Sequence, residues 1–104
     1  MNHDKLLKFA EDTFEEMVVI MKNKNKDYTA GSKSAFANFE ASADFGIDPV
    51  VGLSVRMGDK FKRVQSFCRA GQMAVPGEAV EDAFKDLIGY SVIALAMLSE
   101  REYP

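Results

Sequence analysis

Charged side chains at helical spacing in the second half of the chain are its strongest indication of chemistry. The first stripe is basic with one acid in it, and the second is acidic: Arg56, Asp59, Lys60 and Arg63, then Glu78, Asp82 and Asp86. Steps of three and four residues keep side chains on one side of a helix. Two chemistries suit these residue types, because arginine and lysine bind phosphate and carboxylates hold Mg²⁺.

A short turn, residues 71–77, joins the two segments, so the two helices should run antiparallel. Counting back from that turn predicts three close pairs, which are Arg63 with Asp82, Asp59 with Asp86, and Lys60 with Asp86. Charged groups beside the apolar interface between two packed helices lose hydration and therefore pair with each other or hold a ligand. Two interpretations stay open: a structural network of ion pairs, and a site for phosphate or metal.

A second candidate site lies in the long segment that follows the first predicted helix. Lys24 and Lys26 place positive charge beside Tyr28, whose ring can stack on a base. Asn38 lies between Phe36 and Phe39, which are predicted to point inward. It either reads the edge of a base or satisfies the backbone. The alternative to a binding site is a solvated linker that Tyr28 anchors to the core.

The elements that must position these residues are predicted to be helices. Apolar residues recur every three or four positions, and on the second helix they include Phe61, which is predicted to lie on the packed side. Asp48 before Pro49 is a strong helix start. The pattern predicts an all-α helical bundle with three principal helices, about 4–22, 49–70 and 78–100, and a short helix near 35–45. From Leu87 onward the third helix is apolar almost all round, which predicts that part of it is buried in a homo-oligomer.

Composition restricts the class of protein. The length of 104 residues predicts a single domain, 1–104, and 47% hydrophobic with 28% charged residues is typical of a globular chain. A net charge of −3 predicts no general attraction for duplex nucleic acid. We expect no membrane span and no signal peptide, and hence a cytoplasmic location. The one cysteine, Cys68, is predicted to be buried, and with a single histidine a His/Cys zinc site is excluded.

Five pieces of the chain resemble a family of small phage and prophage proteins. They are residues 24–28, 36–39, 55–60 with Arg63, 78 with 81–82, and 86–90. In order and spacing they are similar to the nucleotide modification associated domain family, over roughly residues 5–98. The resemblance implies a role in nucleotide metabolism without defining a reaction. For a phage-encoded member it implies the cytosol of the host cell.

A weaker resemblance is to the all-helical nucleoside triphosphate pyrophosphatases of the MazG type. Those enzymes hold Mg²⁺ with paired acidic motifs on two helices and form dimers or tetramers. Asp86, Leu87 and Tyr90 are similar to the end of the second motif. Position 83 is alanine where that motif has an acid, so this chain departs from the pattern.

Three hypotheses follow. The first is a nucleotide-binding protein acting in nucleotide metabolism or sequestration, with ligand-binding residues Arg56, Lys60, Arg63, Lys24, Lys26, Tyr28 and Asn38. The second is a Mg²⁺-dependent nucleoside triphosphate pyrophosphohydrolase, with metal ligands Asp59, Glu78, Asp82 and Asp86. The third is a non-catalytic structural or partner-binding module whose stripes are only ion pairs. No residue is assigned a catalytic role.

Overall fold

The computed structural model describes the backbone of residues 1–28, 36, 39 and 41–101, and their side chains except those of 25–28, 41 and 42. Its elements are α1 (His3–Tyr28), a short 3₁₀ helix (Ala41–Phe45), α2 (Pro49–Ala70) and α3 (Val80–Ser99). The prediction of an all-α fold with three principal helices is confirmed, and no strand occurs among the described residues. Contacts divide the chain into two compact units, Met1–Ala35 and Phe36–Pro104. Within the described ranges no helix is long and apolar enough to cross a membrane.

The first unit contains α1, which is longer than predicted. It begins after Asn2, whose side-chain Oδ1 accepts a hydrogen bond from the backbone N–H of Lys5 at 2.9 Å. It continues to Tyr28 instead of ending near Lys22. Asn23 and Asn25, which interrupt the apolar pattern and so indicate a helix end, lie inside the helix. Asparagine costs only about 0.7 kcal/mol per helical position, which is too little to stop a long helix.

In the second unit, α2 begins and ends where the sequence predicts. Asp48 is its N-cap and accepts a hydrogen bond from the backbone N–H of Val50 at 2.9 Å, and Pro49 occupies the first helical position. Gly71 closes the helix with φ at 76°, and its N–H donates to the carbonyl of Phe67 at 2.7 Å. The turn therefore starts at a fixed point, which sets the register of the next helix.

The next helix, α3, begins at Val80, later than the predicted start at Glu78. Ala79 is extended, with φ −112° and ψ 139°. The N–H of Glu78 donates to the carbonyl of Val75 at 3.3 Å, so Glu78 belongs to the turn. Glu81 and Asp82 fall in the first turn of α3, where negative charge suits the helix dipole.

The two helices pack along a seam with a seven-residue repeat. The seam residues alternate in steps of three and four and have little exposure: Val50, Leu53, Met57, Lys60, Val64 and Phe67 on α2, and Val80, Ala83, Leu87, Tyr90, Ala94 and Met97 on α3. This spacing is that of a coiled-coil interface. Lys60 is the only charged member of the two sets.

Two apolar clusters lie on either side of Lys60 along the seam. Leu53 is fully buried and packs with Phe39 and Met97 in the first cluster. The ring of Phe39 meets that of Tyr90 edge to face, with 6.4 Å between ring centroids. The second cluster, near the turn, is formed by Val64, Val80 and Ala83. The prediction that Phe36 and Phe39 point inward is confirmed, since Phe36 also packs on the first cluster.

Two predictions about apolar residues of α2 were wrong. Phe61, predicted on the packed side, is 54% exposed, and Cys68, predicted to be buried, is exposed. Each follows a seam residue, Lys60 or Phe67, by one position. One position rotates a side chain by about 100° around the helix, which takes it off the seam.

Candidate functional site

A pocket of about 140 Å³ lies between α2 and α3, close to the turn that joins them. Its charged lining combines the two stripes: Lys60, Arg63, Glu78, Asp82 and Asp86. Uncharged Met73, Ala79 and Ala83 complete it. Both stripes therefore reach one pocket across an antiparallel hairpin, which is the meeting that the sequence predicts.

Lys60 and Asp86 form the most shielded ion pair of the pocket. The Lys60 Nζ lies 3.0 Å from the Asp86 Oδ2, and the two side chains are 20% and 22% exposed. This predicted contact is confirmed. Because Lys60 occupies a seam position, its aliphatic stem continues the apolar interface while its ammonium group reaches the carboxylate at the edge.

Arg63 makes a looser pair with Glu78 instead of the predicted pair with Asp82. The distance from the Arg63 NH1 to the Glu78 Oε1 is 3.8 Å, and the side chains are 51% and 39% exposed. Arg63 and Asp82 do line one pocket, as their predicted proximity requires, but Glu78 lies in the turn before α3 and takes the ion pair with Arg63. Exposed pairs of this kind contribute about 0–1 kcal/mol. A ligand can therefore displace Glu78 from Arg63 at little cost.

Asp82 lines the same pocket with its carboxylate uncommitted. Its side chain is exposed, and it forms no salt bridge with any residue in the described part of the chain. Its own backbone N–H is used in the first turn of α3, where it donates to the carbonyl of Ala79 at 3.1 Å. Asp82 is thus the acid of this pocket that is most available to a cation.

Arg56 and Asp59, although part of the basic stripe, do not line the pocket. Arg56 lies over the ring of Phe39, with its Cζ 4.7 Å from the ring centroid, as a cation–π contact. Asp59 is exposed. The basic stripe therefore serves two places. Arg56 covers the ring of Phe39, whereas Lys60 and Arg63 line the pocket.

The lysine-rich candidate belongs to the first unit or to undescribed positions. Lys24 is exposed on α1. Lys26 and Tyr28 lie in the last turn of α1, and their side chains are outside the described residues, as is Asn38. The assignment of these four residues to a base-binding site stays a prediction.

A second pocket, of about 240 Å³, adjoins the first near the turn. The two share Arg63, Met73 and Glu78, and the second is completed by Lys62, Ser66, Ala74 and Val75. The sequence reasoning missed this part, because it treated residues 71–77 only as a connection. Met73 and Val75, two large apolar residues in a segment too short for a helix, were the available signal.

The acids of the pocket do not by themselves form a complete metal cage. Across the ranges that the structure describes, no group of three or more His, Cys, Asp or Glu side chains is arranged to hold an ion. Mg²⁺ typically takes only one or two carboxylates, and phosphate oxygens and water supply its other ligands. The prediction of bound Mg²⁺ thus stays open and is tied to a phosphate ligand.

The chain matches one known protein family over most of its length. A family model described as nucleotide modification associated domain 1 matches residues 24–98. The match spans well over half of the chain, and the chain belongs to this family. No curated protein and no solved structure matches it. The whole lining of both pockets falls within the matched residues.

Proposed function

We propose that this member of the nucleotide modification associated domain 1 family binds a nucleotide through its phosphate groups, in the pocket between α2 and α3. The observation that carries the proposal is Arg63, half exposed and held only by a 3.8 Å contact to Glu78, in the lining of that pocket. A guanidinium group suits phosphate because its planar donors match two phosphate oxygens. The family name supports a nucleotide as the source of that phosphate.

The size of the pocket limits which part of a nucleotide it takes. Sites that enclose a whole ligand measure about 300–1,000 Å³. At about 140 Å³, the first pocket suits a phosphate group and is too small for a nucleoside. The adjoining pocket of about 240 Å³ has Met73 and Val75 in its lining and offers apolar contact to a sugar or base. Arg63 lines both pockets. It therefore lies where the ester bond would join the phosphate group in the first pocket to the sugar in the second.

The charge of the lining favours a phosphate that arrives with Mg²⁺. The first pocket contains two cationic and three carboxylate side chains, a formal charge of −1. That charge disfavours a bare phosphate, whereas one Mg²⁺ would change its sign. Of the four predicted ligands, Asp82 fits a metal best because it has no salt-bridge partner among the described residues. Asp86 and Glu78 are engaged by Lys60 and Arg63, and Asp59 lies outside the pocket.

Mg²⁺-dependent hydrolysis of a nucleoside triphosphate is the second candidate function, and the acid-rich lining favours it. Bound Mg²⁺ would polarise a phosphoryl oxygen and stabilise the charge that develops on it. When Arg63 moves from Glu78 to a phosphate, the Glu78 carboxylate is left able to orient a water molecule. Sequestration of a nucleotide would use the same contacts without this last step.

Titration calorimetry against the ribonucleoside and deoxyribonucleoside triphosphates, with and without Mg²⁺, tests the proposal. We expect at least one nucleotide to bind, and Arg63→Gln to weaken that binding about tenfold or more, the loss of about 1.4 kcal/mol of contact energy. Arg69→Gln is the matched control, since Arg69 is an exposed arginine of the same helix that lines neither pocket.

Three outcomes distinguish the hypotheses. Binding without release of pyrophosphate supports a binding protein, and binding with Mg²⁺-dependent release supports the hydrolase. If folded protein binds none of the nucleotides tested, the binding-protein and hydrolase hypotheses are both contradicted, and the structural-module hypothesis is left. Equal effects of Arg63→Gln and Arg69→Gln would move the site away from this pocket.

A further inference from the structure

The α2–α3 hairpin has two unlike sides, which follow from the positions next to the seam. Residues one position before a seam residue and residues one position after it lie on opposite flanks of a helix. In an antiparallel pair, the two preceding flanks share one side and the two following flanks share the other. Arg63, Asp82 and Asp86 each precede a seam residue, so the pocket opens on the preceding side.

The following side is almost free of charge. On α2 it consists of Val51, Ser54, Gly58, Phe61, Gln65 and Cys68, and on α3 of Glu81, Phe84, Ile88, Ser91, Leu95 and Leu98. Only Glu81 among these twelve is charged, whereas five residues of the preceding side are: Arg56, Asp59, Arg63, Asp82 and Asp86. Phe61, Phe84 and Leu95 are 54%, 51% and 68% exposed. Large apolar side chains grouped in this way mark an interaction surface.

We propose that this following side is the interface of a homodimer, in which the hairpins of two copies stack as a four-helix bundle. Each helix of 20 or 22 residues is about 30 Å long and about 10 Å wide. The pair therefore offers roughly 600 Å² per copy, and two copies bury roughly 1,200 Å², the lower bound for a stable specific interface. A flat pair of antiparallel helices is the shape that completes such a bundle with its own copy.

Charge at the rim favours a second copy and fixes its orientation. By helical spacing, Arg69 lies opposite the seam on the outer edge of α2 near the turn, and Glu81 lies on the outer edge of α3, less than one helical turn from the same level. A two-fold axis parallel to the helices places α2 of one copy against α3 of the other, antiparallel. Arg69 of each copy then lies near Glu81 of the other, so the dimer contains this pair twice. Rim pairs of this kind set orientation more than affinity.

The dimer is independent of the proposed nucleotide site. The pockets of both copies face outward, on the side of each hairpin away from the interface. The proposed dimer also gives a number of subunits to the homo-oligomer that the apolar pattern of the third helix predicts. A failure of nucleotide binding would leave the dimer untouched, and the reverse holds as well.

The mass of the full chain in solution, measured by light scattering after gel filtration or by sedimentation equilibrium, tests the dimer. We expect wild type at twice the 11.5 kDa of one chain. Leu95→Glu and Phe84→Glu should each give a monomer with unchanged helical circular dichroism. Val55→Glu is the matched control, because Val55 is 62% exposed and, like Arg69, lies opposite the seam at the rim of the proposed interface, where a glutamate stays in water. It should remain a dimer.

The orientation has its own test. Arg69→Glu should weaken the dimer, and Arg69→Glu with Glu81→Arg should restore it. A monomeric wild type would overturn the proposal and leave the face to another segment of the chain or another protein. A larger assembly that withstands Leu95→Glu, or dissociation by Val55→Glu as strong as by Leu95→Glu, would overturn it equally.

Discussion

Asp48 and Arg101, which are 53 residues apart, join the start of α2 to the end of α3. Both terminal nitrogens of the Arg101 guanidinium donate to the Asp48 carboxylate, and the distance from NH1 to Oδ2 is 2.8 Å. The same carboxylate accepts the N–H of Val50 and caps α2. The Arg101 hydrogen bonds, followed by that of Val50, lower the pKa of Asp48 below its usual 3.8. This contact closes the open end of the hairpin, opposite the turn.

The lowered pKa gives the Asp48–Arg101 pair a defined pH dependence. A carboxyl whose pKa is lower in the folded state stabilises that state fully above its unfolded pKa, and the contribution disappears as the pH falls through the folded pKa. We expect Arg101→Gln to lower Tm at neutral pH, and the difference from wild type to shrink below pH 3.8. Thermal unfolding followed by circular dichroism measures both.

Lys8→Gln is the control for that experiment. It removes the Lys8–Asp12 pair, also 2.8 Å long, which lies within α1 and joins no two elements. Its Tm should change less than that of Arg101→Gln. Equal changes, or a difference that persists undiminished in acid, would show that the Asp48–Arg101 contact does not hold the hairpin.

The Lys60–Asp86 pair should behave as a shielded, coupled pair. Lys60→Met or Asp86→Leu alone leaves a partly buried charge without this partner and should cost about 1–3 kcal/mol. The double variant replaces both with apolar groups and should recover most of that loss. Urea unfolding of the four proteins gives the coupling energy. Additive losses would mean that the two groups do not depend on each other.

Asp82→Asn should separate stability from ligand binding. Asp82 is exposed and has no salt bridge to any described residue, so the only expected loss is its favourable interaction with the helix dipole, less than about 1 kcal/mol. The proposed metal role predicts that the Mg²⁺-dependent part of nucleotide binding disappears. Chemical unfolding and calorimetry on the same sample test both. A strong loss of stability would instead indicate a structural role.

Core packing predicts a large contrast between two leucines. Leu53→Ala should cost about 2–5 kcal/mol, because Leu53 is fully buried against Phe39 and Met97. Leu95→Ala should cost the isolated hairpin little, because Leu95 is 68% exposed. Both variants should be unfolded at protein concentrations low enough for the chain to be monomeric, so that loss of the dimer does not add to the measured change. Comparable losses there would place Leu95 in the core of the fold.

Local signals in the sequence predicted much of the fold. Asp48-Pro49 and Gly71 fixed both ends of α2, because caps act on the nearest backbone groups. Helical spacing also brought Lys60 to Asp86. Spacing alone did not show that Lys60 belongs to the seam, since a charged residue interrupts an apolar pattern. Only the positions of Val64 and Met57 around it reveal the repeat.

The parts that sequence reasoning missed depend on the paths of irregular segments. The sequence pattern places Glu78 in a helix and therefore does not predict the contact of Glu78 with Arg63. The Asp48–Arg101 contact joins residues with no shared period, and no local pattern predicts it. The contact of Arg56 with the ring of Phe39 is not predictable from spacing, because the position of Phe39 depends on the path of the segment before α2. The assignment of Arg56 to phosphate stays a prediction.

Nuclear magnetic resonance of the ¹⁵N-labelled chain titrated with pyrophosphate and Mg²⁺ tests the central claim most directly, because pyrophosphate probes the phosphate site whatever the base. We predict that the Arg63 Nε–H signal and the backbone amides of residues 78–86 shift together and saturate, and that Asp82→Asn weakens the response. Unmoved signals at Arg63, or shifts confined to residues outside the pocket, would contradict a phosphate site between α2 and α3.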